Sequence, residues 1–239
     1  MQSALRLLYP SQCVSCGESL AEDFGLCGSC WGQTPFITGC VCDSCGTPLP
    51  GEAAPGERLT CDECLHTKRP WSRGRAALIY RDNARRLVLA LKHYDRTELA
   101  RPAAQWMARA LAPISTPHML VVPVPTHWTR LVRRRYNQAA LLAQALAREA
   151  GLDYAPDVLI RPRRTPLLEH ASRVQRFATL QGAIRPHPKR AGRLEGRDVL
   201  IVDDVMTTGA TLAATADAAR EAGARDVFTL VLARAVKEA

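Results

Sequence analysis

From residue 65 to the C-terminus this chain contains no cysteine, although nine lie before that point. Any thiolate metal site or disulfide framework is therefore confined to the first 64 residues, and the remainder of the 239-residue chain is long enough to bury a core of its own. An apolar run of transmembrane length is also lacking. Met1 to Pro10 sets Leu5, Leu7 and Leu8 around Arg6, too short and too charged for a signal-peptide core. The expectation is a cytoplasmic chain without membrane insertion, in which thiols stay reduced and paired cysteines hold metal. Acidic residues run short in the larger part. Residues 71–239 carry 28 Lys/Arg against 15 Asp/Glu, a balance of +13, whereas residues 1–70 carry four against eight, a balance of −4. So basic a segment attracts phosphates, either of a small ligand or of a nucleic acid. Cysteine and charge divide near the same place and predict two domains, 1–70 and 71–239.

Eight of the nine cysteines form four Cys-x-x-Cys knuckles: Cys13/Cys16, Cys27/Cys30, Cys42/Cys45 and Cys61/Cys64. One knuckle presents two sulfurs to an ion and a second completes a tetrahedral thiolate site, so one or two structural zinc ions are expected. Four thiolates leave no open position for catalysis. Ten residues separate the first two knuckles and fifteen the second two, which suits a sequential pairing, with an interleaved pairing as the alternative. Gly17 and Gly46 follow their knuckles where a turn calls for positive φ. Cys40 is the spare thiol; it competes with Cys42, but Cys42-Asp-Ser-Cys45-Gly repeats Cys13-Val-Ser-Cys16-Gly and favours Cys42. His66 reads as an exposed loop residue, and Pro48 to Gly56 as a flexible loop.

Beyond Trp71, apolar strands alternate with Ala/Leu-rich helices, the pattern of an α/β parallel sheet with flanking helices. Strands are expected at Ala76–Tyr80, Met119–Val124, Val158–Arg161, Val199–Val202 and Asp226–Ala233. Helices are expected at Asn83–His93, Leu99–Leu111, Gln138–Ala150 and Leu212–Ala222. Pro162 to Leu180 is a long basic segment, either a disordered lid or, beyond Pro166, an ordered helix.

The strand Val199–Val202 runs into Asp203, Asp204, Val205, Met206, Thr207, Thr208, Gly209, Ala210 and Thr211. A helix N-terminus offers unpaired N–H groups and the positive end of a dipole to a phosphate, and Gly209 lets the backbone approach it. The threonine hydroxyls add donors. Two carboxylates at the carboxyl end of a strand suit vicinal ribose hydroxyls. The chemistry is that of ribose with a 5′-phosphate. A second candidate anion site follows Val121 to Pro125, where Arg130, Arg133, Arg134 and Arg135 precede Tyr136, Asn137 and the helix at Gln138.

Two acids, two apolar residues and Thr-Thr-Gly-x-Thr resemble the phosphoribosyl-pyrophosphate (PRPP) loop of the type I phosphoribosyltransferases. Together with the cysteine module, the whole chain resembles the ComF family of competence-associated proteins, which join a zinc module to a phosphoribosyltransferase-like domain. In that family a strand ending Pro-Val-Pro precedes Arg-Gly-Phe-Asn-Gln, here Arg134-Arg135-Tyr136-Asn137-Gln138, with Arg135 in place of Gly and Tyr136 in place of Phe. Arg161, Thr165, Arg176, Gly182 and Ala183 follow the family pattern, whereas Leu168, Ala171, Thr179 and Ile184 depart from it in the stretch matching the mobile active-site loop.

The resemblance implies PRPP with Mg²⁺ as ligand. The 5′-phosphate would lie on Thr207 to Thr211, Asp203 and Asp204 would orient the ribose as the catalytic pair, and Arg134 to Asn137 would hold pyrophosphate. An acceptor base would need a hood, for which Trp71 to Lys92 and the zinc module are candidates. The resemblance also implies a role in natural transformation, handling incoming single-stranded DNA beside a competence helicase and DNA-processing proteins. Trp128, Tyr136 and Phe177 lie among the arginines and are candidates for base stacking, against core packing, which is the expectation for Trp128. The alternative is an active, Mg-dependent phosphoribosyltransferase of nucleotide salvage or a related pathway.

Overall fold

The computed structural model describes residues 10–236 apart from 22, 24, 55 and 166–171. Five parallel strands form the main sheet in the order β1-β7-β6-β2-β3, where β1 is Arg73–Ile79, β2 Leu120–Pro123, β3 Asp153–Tyr154, β6 Asp198–Met206 and β7 Asp226–Arg234. The central strands are apolar on both faces because helices cover both. Val199, Leu200, Ile201 and Val202 are fully buried, each contributing about 1.5–3 kcal/mol by leaving water. Leu200 and Val202 face one core with Leu87, Leu91, Met107 and Leu142, and Val199 and Ile201 face the other with Leu212 and Ala216.

In chain order the helices are α1 Gly28–Gly32, α2 Asp62–His66, α3 Asp82–His93, α4 Ala100–Leu111, α5 Trp128–Arg134, α6 Gln138–Ala150, α7 Arg173–Leu180 and α8 Ala210–Glu221. The first core lies under α3, α4 and α6. The second lies under α8 and takes in Cys42, Cys45 and Cys64, so the second cysteine cluster is part of that face of the sheet.

The N-terminal segment is joined to the sheet by backbone as well as side chains. Ile37 donates to the Ala77 carbonyl and Ile79 to that of Pro35, a short antiparallel addition at the β1 edge. Gly74 donates to Asp43 O at 2.8 Å, and the Asp43 carboxylate accepts from Arg73 and Arg75. Burial opposes charge on Asp43, but those two guanidiniums outweigh it and hold its carboxyl below the usual range.

Several sequence expectations change. The strand expected at Ala76–Tyr80 begins at Arg73, ends at Ile79 and belongs to the main sheet. Val158–Arg161 is no main-sheet strand: Leu159–Ile160 (β4) pairs antiparallel with Arg185–Pro186 (β5) in a separate two-stranded ribbon. The fifth main strand is instead the two-residue β3, too short to show a period. The Arg-rich connection contains α5, which His127 caps by accepting from Thr129 N–H. Within the basic segment, α7 is an ordered helix opened by a capping box between Ser172 and Gln175, while Leu168 and Ala171 lie outside the described residues. Gly17 and Gly46 do take positive φ, 80° and 70°.

Candidate functional site

The strand β6 outruns its neighbour. β2 ends at Pro123 opposite Val202, while β6 continues through Asp203 to Met206 against β7 alone. That unequal length opens a crevice beyond the carboxyl end of β2, the place where open parallel sheets bind ligands, and sets both acids on its wall. The chain then turns at Thr207 and Thr208. Gly209, at φ 81°, leads directly into α8, and Ala210 N–H reaches Thr208 Oγ1 at 3.4 Å. An L side chain at Gly209 would meet Met206 Cε at 2.7 Å and Arg69 Nη1 at 2.8 Å.

Two adjoining cavities flank the turn. One, of about 170 Å³, is lined by Thr207 to Thr211 with Arg130, Arg161 and Arg176. The other, of about 340 Å³, is lined by Lys92, Thr126, Asn137, Asp203 and Asp204. Arg130, Arg161, Asp203, Thr207 and Thr211 belong to both, so the two form one bent cleft. Arg176 Nη1 lies 3.4 Å from Thr207 Oγ1, and Arg130 donates to Thr165 O at 3.0 Å.

The two acids differ in environment. Asp204 pairs with Lys92 Nζ at 3.0 Å. Asp203 is pushed up to about 7, first by burial and then by the Asp204 charge, with Asp204 N–H, Lys92 and Arg161 pulling the other way. Burial lowers Arg161, and the charge of Arg130 beside it adds to that. This concave surface sets three guanidiniums and a helix N-terminus, groups that attract anions, beside two acids that can accept hydrogen bonds.

All nine residues of the expected loop, Asp203 to Thr211, line at least one lobe: Met206, Thr208, Gly209 and Ala210 line the first and not the second, and Asp204 the second and not the first. Of the expected pyrophosphate residues, Arg135 and Tyr136 are not among the residues that line the cleft. Arg134 is the last residue of α5, Arg135 is exposed, and Tyr136 donates to Leu91 O at 2.8 Å. Asn137 lines the cleft, while its Nδ2 donates to Val124 O at 3.0 Å and its Oδ1 caps α6. Arg135 stands at φ 64°, the conformation for which glycine is favoured. Of the three aromatic residues, Phe177 packs against α8 and Tyr136 is half-buried. Trp128 overturns the expectation of core packing: it is 66% exposed.

Sequence reasoning missed Arg69 and Arg234. Arg69 donates to Thr208 O at 2.7 Å and Arg234 to Thr207 O at 2.6 Å, both from behind the turn. A buried Arg closing an otherwise apolar strand was the available signal for Arg234; nothing local marks Arg69.

The cysteines gather as Cys13/Cys16/Cys27/Cys30 and Cys42/Cys45/Cys61/Cys64, the sulfurs of each set within 4.8 Å of one another. The pairing is sequential. Cys40 and His66 belong to neither set. Hydrogen bonds with Cys42 and Cys64 hold the Cys45 thiol far below its ordinary value, while bonds to Cys42 and Cys45 push Cys64 up. Four sulfurs gathered this closely fit a tetrahedral zinc thiolate site, in which all four would hold the ion and add only structure. Among the described residues no helix is long and apolar enough to cross a membrane.

Residues 4–66 match the double zinc ribbon domain and residues 137–238 the phosphoribosyl transferase domain. The chain is 32% identical over 235 residues to DNA utilization protein YhgH of Salmonella typhimurium, covering 95% of this chain and 99% of that one. It is 27% identical to Competence protein F of Haemophilus influenzae, over 94% and 97% of the two chains, and 25% identical to Competence protein ComFC of Bacillus subtilis, over 81% and 77%. A double zinc ribbon ahead of a phosphoribosyltransferase fold, with likeness to these relatives along nearly its whole length, makes this chain a member of the ComF family.

Proposed function

We propose that this is a PRPP-binding ComF protein that acts in natural transformation in the cytoplasm, with residues 1–70 as ribbon module and 71–239 as phosphoribosyltransferase-like domain. One observation carries the ligand: the Gly209 turn and the N-terminus of α8 open onto a cavity whose other walls are Arg130, Arg161 and Arg176. A 5′-phosphate would sit there, on Thr207, Thr208 and Thr211, with the ribose hydroxyls on Asp203 and Asp204. The second lobe would take pyrophosphate with Mg²⁺, beside Lys92 and Asn137. If transfer occurs, an incoming nitrogen displaces pyrophosphate from C1, and the arginines would stabilise the departing charge.

Thermal melting tests the reading. PRPP with Mg²⁺ at a hundredfold excess over its dissociation constant stabilises by about 2.7 kcal/mol, a rise of several degrees in Tm. Asp203→Ala with Asp204→Ala abolishes that rise; an unchanged response in the double variant refutes the site.

The exposed indole of Trp128, on a helix that also carries Arg130, favours single-stranded DNA as a second ligand. Binding then weakens steeply with salt, and Trp128→Ala lowers affinity for single strands without changing the PRPP response. A chain with no affinity for single strands at low salt ends that reading.

A further inference from the structure

The turn that faces the cleft is held from its other side by the Cys61/Cys64 knuckle of the second cluster. Glu63 lies between the ligands Cys61 and Cys64, and each of its carboxylate oxygens takes a different arginine: Oε1 from Arg69 at 3.1 Å, Oε2 from Arg234 at 2.8 Å. Both guanidinium side chains are buried, 2% and 3% exposed. Arg69 also donates from Nε to Cys64 Sγ at 3.4 Å and lies over the Trp71 ring, and Trp71 itself donates to Ser44 O in the Cys42/Cys45 knuckle of the same cluster. Three successive loop carbonyls complete the network. Arg234 Nη1 takes Met206 O at 3.2 Å and Thr207 O at 2.6 Å, and Arg69 Nη1 takes Thr208 O at 2.7 Å.

A trans peptide sets its N–H opposite its carbonyl. With the carbonyls of Met206, Thr207 and Thr208 turned toward the arginines, the N–H groups of Thr207, Thr208 and Gly209 turn away from the knuckle. The cavity bounded by Arg130, Arg161 and Arg176 is lined by Thr207 to Thr211 and by neither Arg69 nor Arg234.

We propose that Arg69 and Arg234, anchored by Glu63, are positioning residues through which the second cysteine cluster sets the anion-binding shape of the Met206–Thr211 turn, so that metal in the cluster and phosphosugar in the cleft bind with mutual support. The ligand half of this statement rests on the reading above; the structural half does not. The knuckle turn Cys61–Cys64 keeps its form through its metal, and Glu63 moves with it. The first cluster serves as internal control. Its links run to Asn83 through Ser15 and to Leu20 and Leu26, away from the turn.

The test uses the full chain with both clusters loaded, and compares wild type with Glu63→Gln and Arg69→Lys. Hydrogen exchange over residues 206–211 reads the structural half without any ligand. Both variants exchange there about tenfold faster at unchanged zinc content, while Val199–Val202 exchanges as before. Equal exchange in wild type and both variants overturns the proposal. The reciprocal arm needs wild type alone: PRPP with Mg²⁺ slows chelator extraction of one zinc ion and not the other, and the same coupling appears as weaker PRPP binding once that ion is gone. PRPP that binds but protects neither ion also overturns it. A loaded chain that binds no PRPP refutes the phosphosugar reading, and exchange then decides the positioning roles by itself.

Discussion

At the scale of single residues, environment separates two acids that look alike in sequence. Asp203 is raised to about 7, well above the ordinary carboxylate, whereas Asp204 has Lys92 against it. An acid raised on folding keeps its proton where the unfolded chain has lost its own, so its contribution to stability falls as pH rises from about 4 to about 7. Accepting ribose hydroxyls requires the carboxylate. PRPP affinity therefore rises about tenfold per pH unit below 7 and levels above it, and Asp203→Asn flattens the profile; calorimetry from pH 5.5 to 8.5 checks both. Arg135 is the other residue whose setting matters. Its positive φ costs about 1 kcal/mol against glycine, so Arg135→Gly raises the melting temperature by a few degrees unless the guanidinium has a compensating bond. A lower melting temperature in that variant would show such a bond.

At the scale of elements, most helices and strands were legible because their apolar periods are long. β7, α3, α4 and α6 fall where the pattern predicts, whereas β6 runs on past Val202 to Met206, so Asp203 and Asp204 are strand residues. The exceptions have physical causes. β3 has two residues, and β4 is apolar but pairs with β5 because the chain leaves the sheet edge before reaching it. α5 begins at an exposed Trp and carries Leu131 and Val132 on its surface, so no buried face marks it. Where elements meet, small residues decide. A Cβ at Gly46 would lie 2.6 Å from Ala76 N and 2.8 Å from Arg75 C, backbone atoms of β1 that cannot yield. With its φ of 70° added, Gly46→Ala costs about 3 kcal/mol, read as a fall in melting temperature together with looser zinc in the second cluster.

At the scale of the whole molecule, the charge division between the two parts of the sequence is in part an internal complementarity. Asp43 meets Arg73 and Arg75, and Glu63 meets Arg234, so several basic residues of the larger part are turned inward against the acidic ribbon. The cysteine clusters are unequal in the same sense. The first forms a small core of its own with Leu20 and Leu26, and the second merges with the core beneath α8. Metal analysis of the reduced chain is expected to find about two zinc ions, and chelation to release one before the other; a content of one ion would mean that one cluster does not load.

The sequence by itself determined the cysteine knuckles, the Asp203 to Thr211 turn and the alternation of strands and helices, because each depends on neighbours a few residues apart. Only the tertiary structure decided that the knuckles pair sequentially, that Arg73–Ile79 joins the sheet, and that Lys92 reaches Asp204. It also decided that two arginines at positions 69 and 234 hold the turn from behind. Arg69 and Thr208 lie 139 positions apart and Arg234 and Thr207 lie 27 apart, and a side chain's partner at such separations is set by packing of the sheet, which no local spacing records.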